Sequence, residues 1–305
     1  MNAKIPYIIF NSFSAGGKTS KRMKNILECI KMYWDNFRFF ITQDSLQAES
    51  VVRFSIKEGG EMIIAIGGDG TIQSVVNGFF EDNNIINKDC VLGIISSGTG
   101  QGLVQSLSIP SDILSQVELI KRNKTQYLDV GRIQFKDRNK SRYFMNEFQA
   151  GIGGAVVKNV SVNLKKYGGK FSFGLGALAT VFSCKPEIMD FIIDDKRVIR
   201  NLLGIVVSNG KYTGGGMQLT PNASLTDGLF DVLLISSMPH LKRLKMFPKI
   251  YSANHINSDG FEFFQAKKIK ILRTNGSLIE ADGELINEKC AAIEIVPHCL
   301  KVFAN

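Results

Sequence analysis

The chain has 305 residues, 37 Lys and Arg against 28 Asp and Glu, a net charge of +9, and 44% hydrophobic residues. That length suits two domains, and a composition near globular averages excludes a disordered or low-complexity chain. Five cysteines (Cys29, Cys90, Cys184, Cys290, Cys299) with no CxxC pair and no His at ligand spacing speak against a zinc site or a disulfide framework.

From the N-terminus, short β-branched and aromatic runs alternate with amphipathic segments. The pattern predicts strand Tyr7–Phe10, helix Thr19–Tyr33, strand Phe37–Ile41, helix Ser45–Lys57, strand Met62–Ile66, helix Ile72–Phe80 and strand Val91–Ile95. This βαβα order implies a parallel sheet whose ligands bind beyond the carboxyl ends of its strands. After Lys121 the texture changes to strands at Gln126–Phe135, Arg142–Gln149, Asp190–Ile193, Val198–Ser208, Met217–Leu219, Leu229–Ile235, Phe261–Gln265, Lys268–Thr274 and Leu278–Ala281. Helices are expected at Gly154–Leu164, Phe171–Cys184 and His240–Ile250. The expectation is therefore an α/β domain over 1–122, completed by a returning segment 291–305, and a mostly antiparallel β domain over 123–290.

Tyr7–Phe10 is too short for a signal-peptide core, and Phe171–Cys184 is too short and Gly-interrupted to span a bilayer, so the chain is expected to be cytoplasmic. The excess of positive charge favours a polyanionic partner without choosing among nucleic acid, anionic lipid and nucleotide phosphate. Its clusters are Lys18…Lys21-Arg22…Lys24, Lys165-Lys166 and Lys242-Arg243…Lys245.

The segment Gly67-Gly68-Asp69-Gly70-Thr71 joins an apolar strand directly to an amphipathic helix. Consecutive glycines let backbone amides approach phosphate oxygens, and the helix N-terminus adds a positive dipole end. Asp69 would repel an anion unless a cation intervened, which suggests Mg²⁺. Two more small-residue loops follow strands of the same sheet: Asn11-Ser12-Phe13-Ser14-Ala15-Gly16-Gly17-Lys18-Thr19, which fails the Walker spacing, and Ser96-Ser97-Gly98-Thr99-Gly100-Gln101-Gly102.

In order along the chain, these loops, Gly151-Ile-Gly-Gly154, Tyr212-Thr-Gly-Gly-Gly-Met217, Leu225-Thr-Asp-Gly-Leu-Phe-Asp231 and Ala281-Asp-Gly-Glu284 resemble the motifs of the diacylglycerol kinase catalytic family. That family includes bacterial diacylglycerol kinases and the sphingosine and ceramide kinases. The resemblance implies an NAD-kinase and phosphofructokinase-like α/β domain followed by a β-rich lipid domain, and transfer of the γ-phosphoryl group of ATP, with Mg²⁺, to a lipid hydroxyl. It implies nucleotide contacts at Asn11, Ser12, Phe13, Ser14, Ala15, Thr42, Gly67, Gly68, Gly70, Thr71, Ile72, Gln73, Gly98 and Thr99, with Asp69 acting around phosphates and metal. It further implies a structural Mg²⁺ held by the Asp227 carboxylate and the main-chain oxygens of Ser224 and Leu229, and a general base at Glu284, with Asp282 the second candidate. The implied partner is a lipid at a membrane surface, with no nucleic acid and room for a homodimer.

The chain departs from the family's usual pattern at Asn11-Ser12, at Gln73-Ser74 and at Gln101-Gly102, where the family commonly keeps Asn-Pro, Asn-Glu and Asn-Asp. An acid usual in the third loop is thus Gly102 here. Two alternatives accompany the lipid kinase reading: an NAD-kinase-like enzyme with a soluble acceptor, and a nucleotide- or lipid-binding protein that turns over weakly.

Overall fold

The computed structural model describes residues 4–11, 18–96, 102–137, 139–167 and 179–304, without side chains at 18–21 and 160–167. The chain divides into two compact units, residues 1–130 with 297–305, and residues 131–296. The boundary expected at 122 precedes a strand, whereas the units part inside that strand, between Val130 and Gly131. A continuous strand hydrogen-bonds along its whole length, so no composition change marks the crossing.

In the first unit, β1 (Tyr7–Asn11), α1 (Lys18–Lys31), β2 (Arg38–Thr42), α2 (Ser45–Lys57), β3 (Met62–Gly67) and α3 (Asp69–Gly78) follow in βα order. A short hairpin, β4 (Phe80–Glu81) and β5 (Asn84–Ile85), leads to β6 (Val91–Ser96), α4 (Gly102–Ser106) and α5 (Ile113–Lys121). The sheet runs β2-β1-β3-β6, all parallel. The central strands β3 and β6 are buried at every residue, as expected of parallel strands covered on both faces. Two helices carry the caps their sequences specify: the carboxylates of Asp44 and Asp112 accept the backbone N–H groups of Gln47 and Ser115, each at 2.8 Å.

The second unit takes up the end of β7 (Thr125–Phe135), then β8 (Arg142–Phe144), β9 (Glu147–Gly151), α6 (Ile152–Tyr167), β10 (Glu187–Ile193), β11 (Lys196–Ser208), β12 (Phe230–Ser236), α7 (His240–Tyr251), β13 (Phe261–Ala266), β14 (Lys268–Arg273), β15 (Ile279–Ala281), β16 (Glu284–Ile286) and the start of β17 (Cys290–Phe303). Its pairing is antiparallel, in the order β16-β15-β9-β11-β10-β14-β17, with β12 pairing β11 and β13. Phe144, Phe148, Phe191 and Phe230 centre one apolar cluster, and Phe144 stacks on Phe230 at 5.7 Å. A second cluster, around Leu203, Val206, Leu233 and Met238, receives Met246 and Ile250 of α7.

The returning segment is shorter than the expected 291–305, because the units part inside its strand, between Val296 and Pro297. Cys290–Val296 belongs to the second unit, and the same strand continues from Pro297 into the first, where Lys301 and Val302 pair in parallel with Val91 and Leu92 of β6. Near the crossing, buried Asp129 accepts the backbone N–H of His298 at 2.7 Å. The expected strand Met217–Leu219 does not form. Gly214–Gly216 is a single 3₁₀ turn with Gly215 and Gly216 at positive φ, leaving only one bridge between Thr213 and Met217. The helix expected over Phe171–Cys184 is described only at its end, where residues 179–183 are helical. No helix among the described residues is long and apolar enough to cross a membrane.

Candidate active site

Register brings the strand ends that precede the sequence-predicted loops of the first unit to one sheet edge. Asn11 lies opposite Thr42, Phe10 opposite Ile66, Ile66 opposite Ile95, and Gly67 opposite Ser96, so the carboxyl ends of β1, β2, β3 and β6 align. Gly67 closes β3, Gly68 caps α3 with extended backbone (φ −94°), and Asp69 opens the helix. The turn thus needs no left-handed residue. Gly67 is required for space, since a Cβ there would sit 2.4 Å from the Thr71 hydroxyl. Gly68 has no side chain with which to cap the first-turn N–H groups, so α3 presents them with its positive dipole end. At the same edge the buried Oγ of Ser96 makes no hydrogen bond among the described residues. Small residues, a helix N-terminus with no side-chain cap and an orphaned hydroxyl are the donor set that a nucleotide phosphate takes.

Of the other expected nucleotide positions, some are buried and some lie outside the described residues. Thr42 is fully buried and donates its hydroxyl to the Phe10 carbonyl at 3.3 Å, while Ile72 and Gln73 are buried within α3. Ser12, Phe13, Ser14, Ala15, Gly98 and Thr99 lie outside the described residues. Gly102 is buried at the start of α4 and accepts the Ser106 hydroxyl on its carbonyl at 3.0 Å.

In the second unit, two of the motifs, at Tyr212 and at Ala281–Glu284, meet around the β8–β9 turn. Asp282, in left-handed backbone (φ 48°), accepts three backbone N–H groups on its carboxylate: Met145 at 2.8 Å, Asn146 at 2.9 Å and Glu147 at 3.0 Å. Its own N–H donates to the Glu147 carbonyl. The Asn146 amide donates to the Tyr212 carbonyl at 2.6 Å, and the Asn209 amide to the Met145 carbonyl at 2.7 Å. Asp282 is therefore an organising carboxylate for this turn. Glu284, two residues on, is one-third exposed and paired with Arg142. Of the two base candidates, Glu284 keeps its carboxylate at the surface.

Glu280, two residues before Asp282, is a residue that motif reading missed. It is fully buried, accepts the Gly283 N–H at 2.8 Å, and burial, with Asp282 nearby, pushes its carboxyl up to about 8. Through that hydrogen bond it supports the turn carrying Glu284. A buried Glu in a three-residue strand has no sequence pattern that would reveal it.

The expected Mg²⁺ loop is a tight turn: Asp227 Oδ1 accepts the Leu229 N–H at 3.1 Å, Gly228 has φ 73°, and the Ser224 hydroxyl meets that of Thr226 at 3.3 Å. Buried Asp231 stands nearby, its carboxyl raised by burial and then by the Asp227 charge. Carboxylate and carbonyl oxygens are the hard donors Mg²⁺ prefers, so the loop suits the ion. Among the described residues no three His, Cys, Asp or Glu side chains form a metal cluster, so main-chain oxygens would have to complete such a site.

Comparison with known proteins decides the family. Residues 6–133 match the model described as diacylglycerol kinase catalytic domain, and residues 147–304, more than half of the chain, match the YegS C-terminal NAD kinase beta sandwich-like domain. The chain belongs to the diacylglycerol kinase and YegS-like lipid kinase family. Its sequence is 24% identical to the diacylglycerol kinase of Mycobacterium tuberculosis over 85% of this chain and 82% of the relative. It is also 24% identical to a Pectobacterium atrosepticum protein named "Probable lipid kinase YegS-like", over 97% and 95% of the two chains. A crystal structure of a diacylglycerol kinase from Bacillus anthracis aligns with a TM-score of 0.74 at 18% identity, covering 100% of this chain and 98% of that chain, which shows a shared fold.

Proposed function

We propose that this lipid kinase is ATP- and Mg²⁺-dependent and phosphorylates a hydroxyl of diacylglycerol or a sphingoid-type lipid. The observation that carries the reading is the aligned sheet edge, where Asn11, Gly67 and Ser96 end three neighbouring strands beside the uncapped N-terminus of α3. Backbone amides of Gly68 to Thr71 bind and orient phosphate oxygens there, and Asp69 in the first turn supplies the carboxylate for a phosphate-bridging cation. When bound, Mg²⁺ neutralises charge that builds on the phosphoryl oxygens.

In the second unit, Glu284 accepts the proton of the lipid hydroxyl as it attacks, a step worth about 10²–10⁴ in rate. Arg142 orients the Glu284 carboxylate, and Asp282 and Glu280 hold the turn from which it projects. Asp227, with the main-chain oxygens of Ser224 and Leu229, holds a structural Mg²⁺ in this reading. The protein works in the cytoplasm, visiting a membrane surface for its substrate.

The test is incubation of the purified protein with γ-labelled ATP and Mg²⁺ over a panel of lipids in mixed micelles plus NAD, with Asp69→Ala as control. A labelled lipid that disappears in the control is the expected result. Label on NAD alone would move the acceptor to the soluble class, and ATP binding without any labelled product would favour the binding-protein reading.

A further inference from the structure

Helix α7 is amphipathic in an unusual sense, because its outward face is apolar. Its inner face, Arg243, Met246 and Ile250, packs onto the core of the second unit. The buried Arg243 guanidinium donates to the carbonyls of Met238 at 2.9 Å, Val181 at 3.0 Å and Cys184 at 2.7 Å, so it fastens the helical turn 179–183 to α7. Arg243 belongs to the basic cluster Lys242-Arg243…Lys245, yet it is buried and caps these carbonyls from within.

On the outer face, Leu241 is 66% exposed, Leu244 41% and Tyr251 37%, with exposed Pro248 between them. Positions 241, 244, 248 and 251 follow helical spacing and form one stripe. Phe182, 36% exposed, extends it by stacking on the His240 ring at 6.2 Å. Lys242, Lys245 and Lys249 repeat the same spacing one residue later and line one side of the stripe. Among the described residues the acid recorded against them is Asp259, 3.9 Å from Lys242 and itself fully exposed.

A water-facing helix has no reason to hold two leucines, a tyrosine and a phenylalanine in one stripe. Aliphatic and aromatic side chains beside a row of lysines match a bilayer interface, where the apolar groups enter the acyl boundary and the ammonium groups meet lipid phosphates. We propose that α7, with Phe182, is the surface by which this protein docks on an anionic lipid bilayer. The inference deepens the proposed function and rests on it for the reason a membrane is visited. Lys242 and its two fellow lysines confer the preference for anionic lipid, and the stripe confers resistance to salt.

The experiment is sedimentation of the full chain with phosphatidylglycerol vesicles and with phosphatidylcholine vesicles, at low and high salt. It compares wild type, Leu241→Asp with Leu244→Asp, and Lys242→Glu with Lys245→Glu and Lys249→Glu. All five positions are on the outer face, and thermal melts check that the variants stay folded. Wild type is expected to prefer phosphatidylglycerol, the lysine variant to bind it about 100-fold more weakly, and the leucine variant at least about 10-fold more weakly to either vesicle. Folded variants that sediment like wild type, or a wild type that ignores both vesicles, would overturn the proposal; the second result would direct the search to an acidic protein surface. Turnover of a short-chain acceptor dissolved as monomers separates the two readings. Variants that lose vesicle binding but keep this turnover support both readings. Vesicle binding through α7 without phosphorylation of any lipid supports the docking surface while removing the kinase reading.

Discussion

The side chain of Thr71 occupies the space that a Cβ on Gly67 would need, 2.4 Å from its Oγ1 and 2.5 Å from its Cβ. One turn of α3 thereby locks the end of β3, and the chain passes from Gly67 through Gly68 directly into the helix. Gly67→Ala should destabilise the protein by about 1–3 kcal/mol through overpacking and weaken ATP binding. Adding Thr71→Gly should recover part of the loss, so that the double variant is more stable than the sum of the singles predicts. Urea unfolding and ATP titration of the three variants check this; strict additivity would show that the two residues do not compete for space.

Asp282 and Glu284 should separate cleanly under substitution. Asp282→Ala leaves three backbone N–H groups without their acceptor and should cost about 3 kcal/mol or more of stability. Glu284→Gln removes only a partly exposed ion pair, worth about 0–1 kcal/mol, yet should lower kcat by at least about 100-fold. Denaturation midpoints and steady-state rates on both variants decide it. Normal turnover in Glu284→Gln would reject a base at this position.

Glu280 makes stability depend on pH in a direction opposite to that of a salt-bridged acid. Folded, it keeps its proton up to about 8, against an ordinary 4.5, so between those values the folded state binds more protons than the unfolded one. Stability therefore falls as pH rises through that window. Glu280→Gln mimics the neutral acid. It should match wild type near pH 5 and exceed it at pH 8.5 in urea unfolding, and a wild type with the same pH slope as the variant would contradict the assignment.

Cysteine reactivity should be sharply divided. Burial pushes the thiols of Cys90, Cys290 and Cys299 up to about 12, and raises Cys184 as well, partly offset by the Arg243 charge. Cys29, part-exposed on α1, should react first with an aromatic disulfide reagent at pH 8. The three buried thiols should react only on unfolding, which a timed count of released thiolate with and without denaturant will show.

Much of the architecture was legible from local pattern. Tyr7–Phe10, Met62–Ile66 and Val91–Ile95 are continuous apolar runs bounded by Gly or polar residues, and each is a buried parallel strand within one residue of its predicted end. Ordered motifs likewise identified the family, because each requires small residues at a specific turn. What failed locally failed for a nameable reason. Met217–Leu219 has strand-forming residues, but three preceding glycines fold into a 3₁₀ turn that leaves it one bridge. Arg243 sits in a lysine-rich run, and nothing in that run distinguishes a buried cap from a solvated charge.

By itself, then, the sequence determined the order of strands and helices, the loops that gather at the carboxyl edge of the parallel sheet, and the family. Those properties depend on backbone propensity and on periodicity, which are short-range. Tertiary structure alone decided that Asp282 is consumed by three N–H groups from a turn about 136 residues earlier, that Glu280 is fully buried, and that α7 turns its leucines outward. Each of these is set by which long-range neighbour removes water or supplies a hydrogen bond, and no local stretch of residues encodes that neighbour.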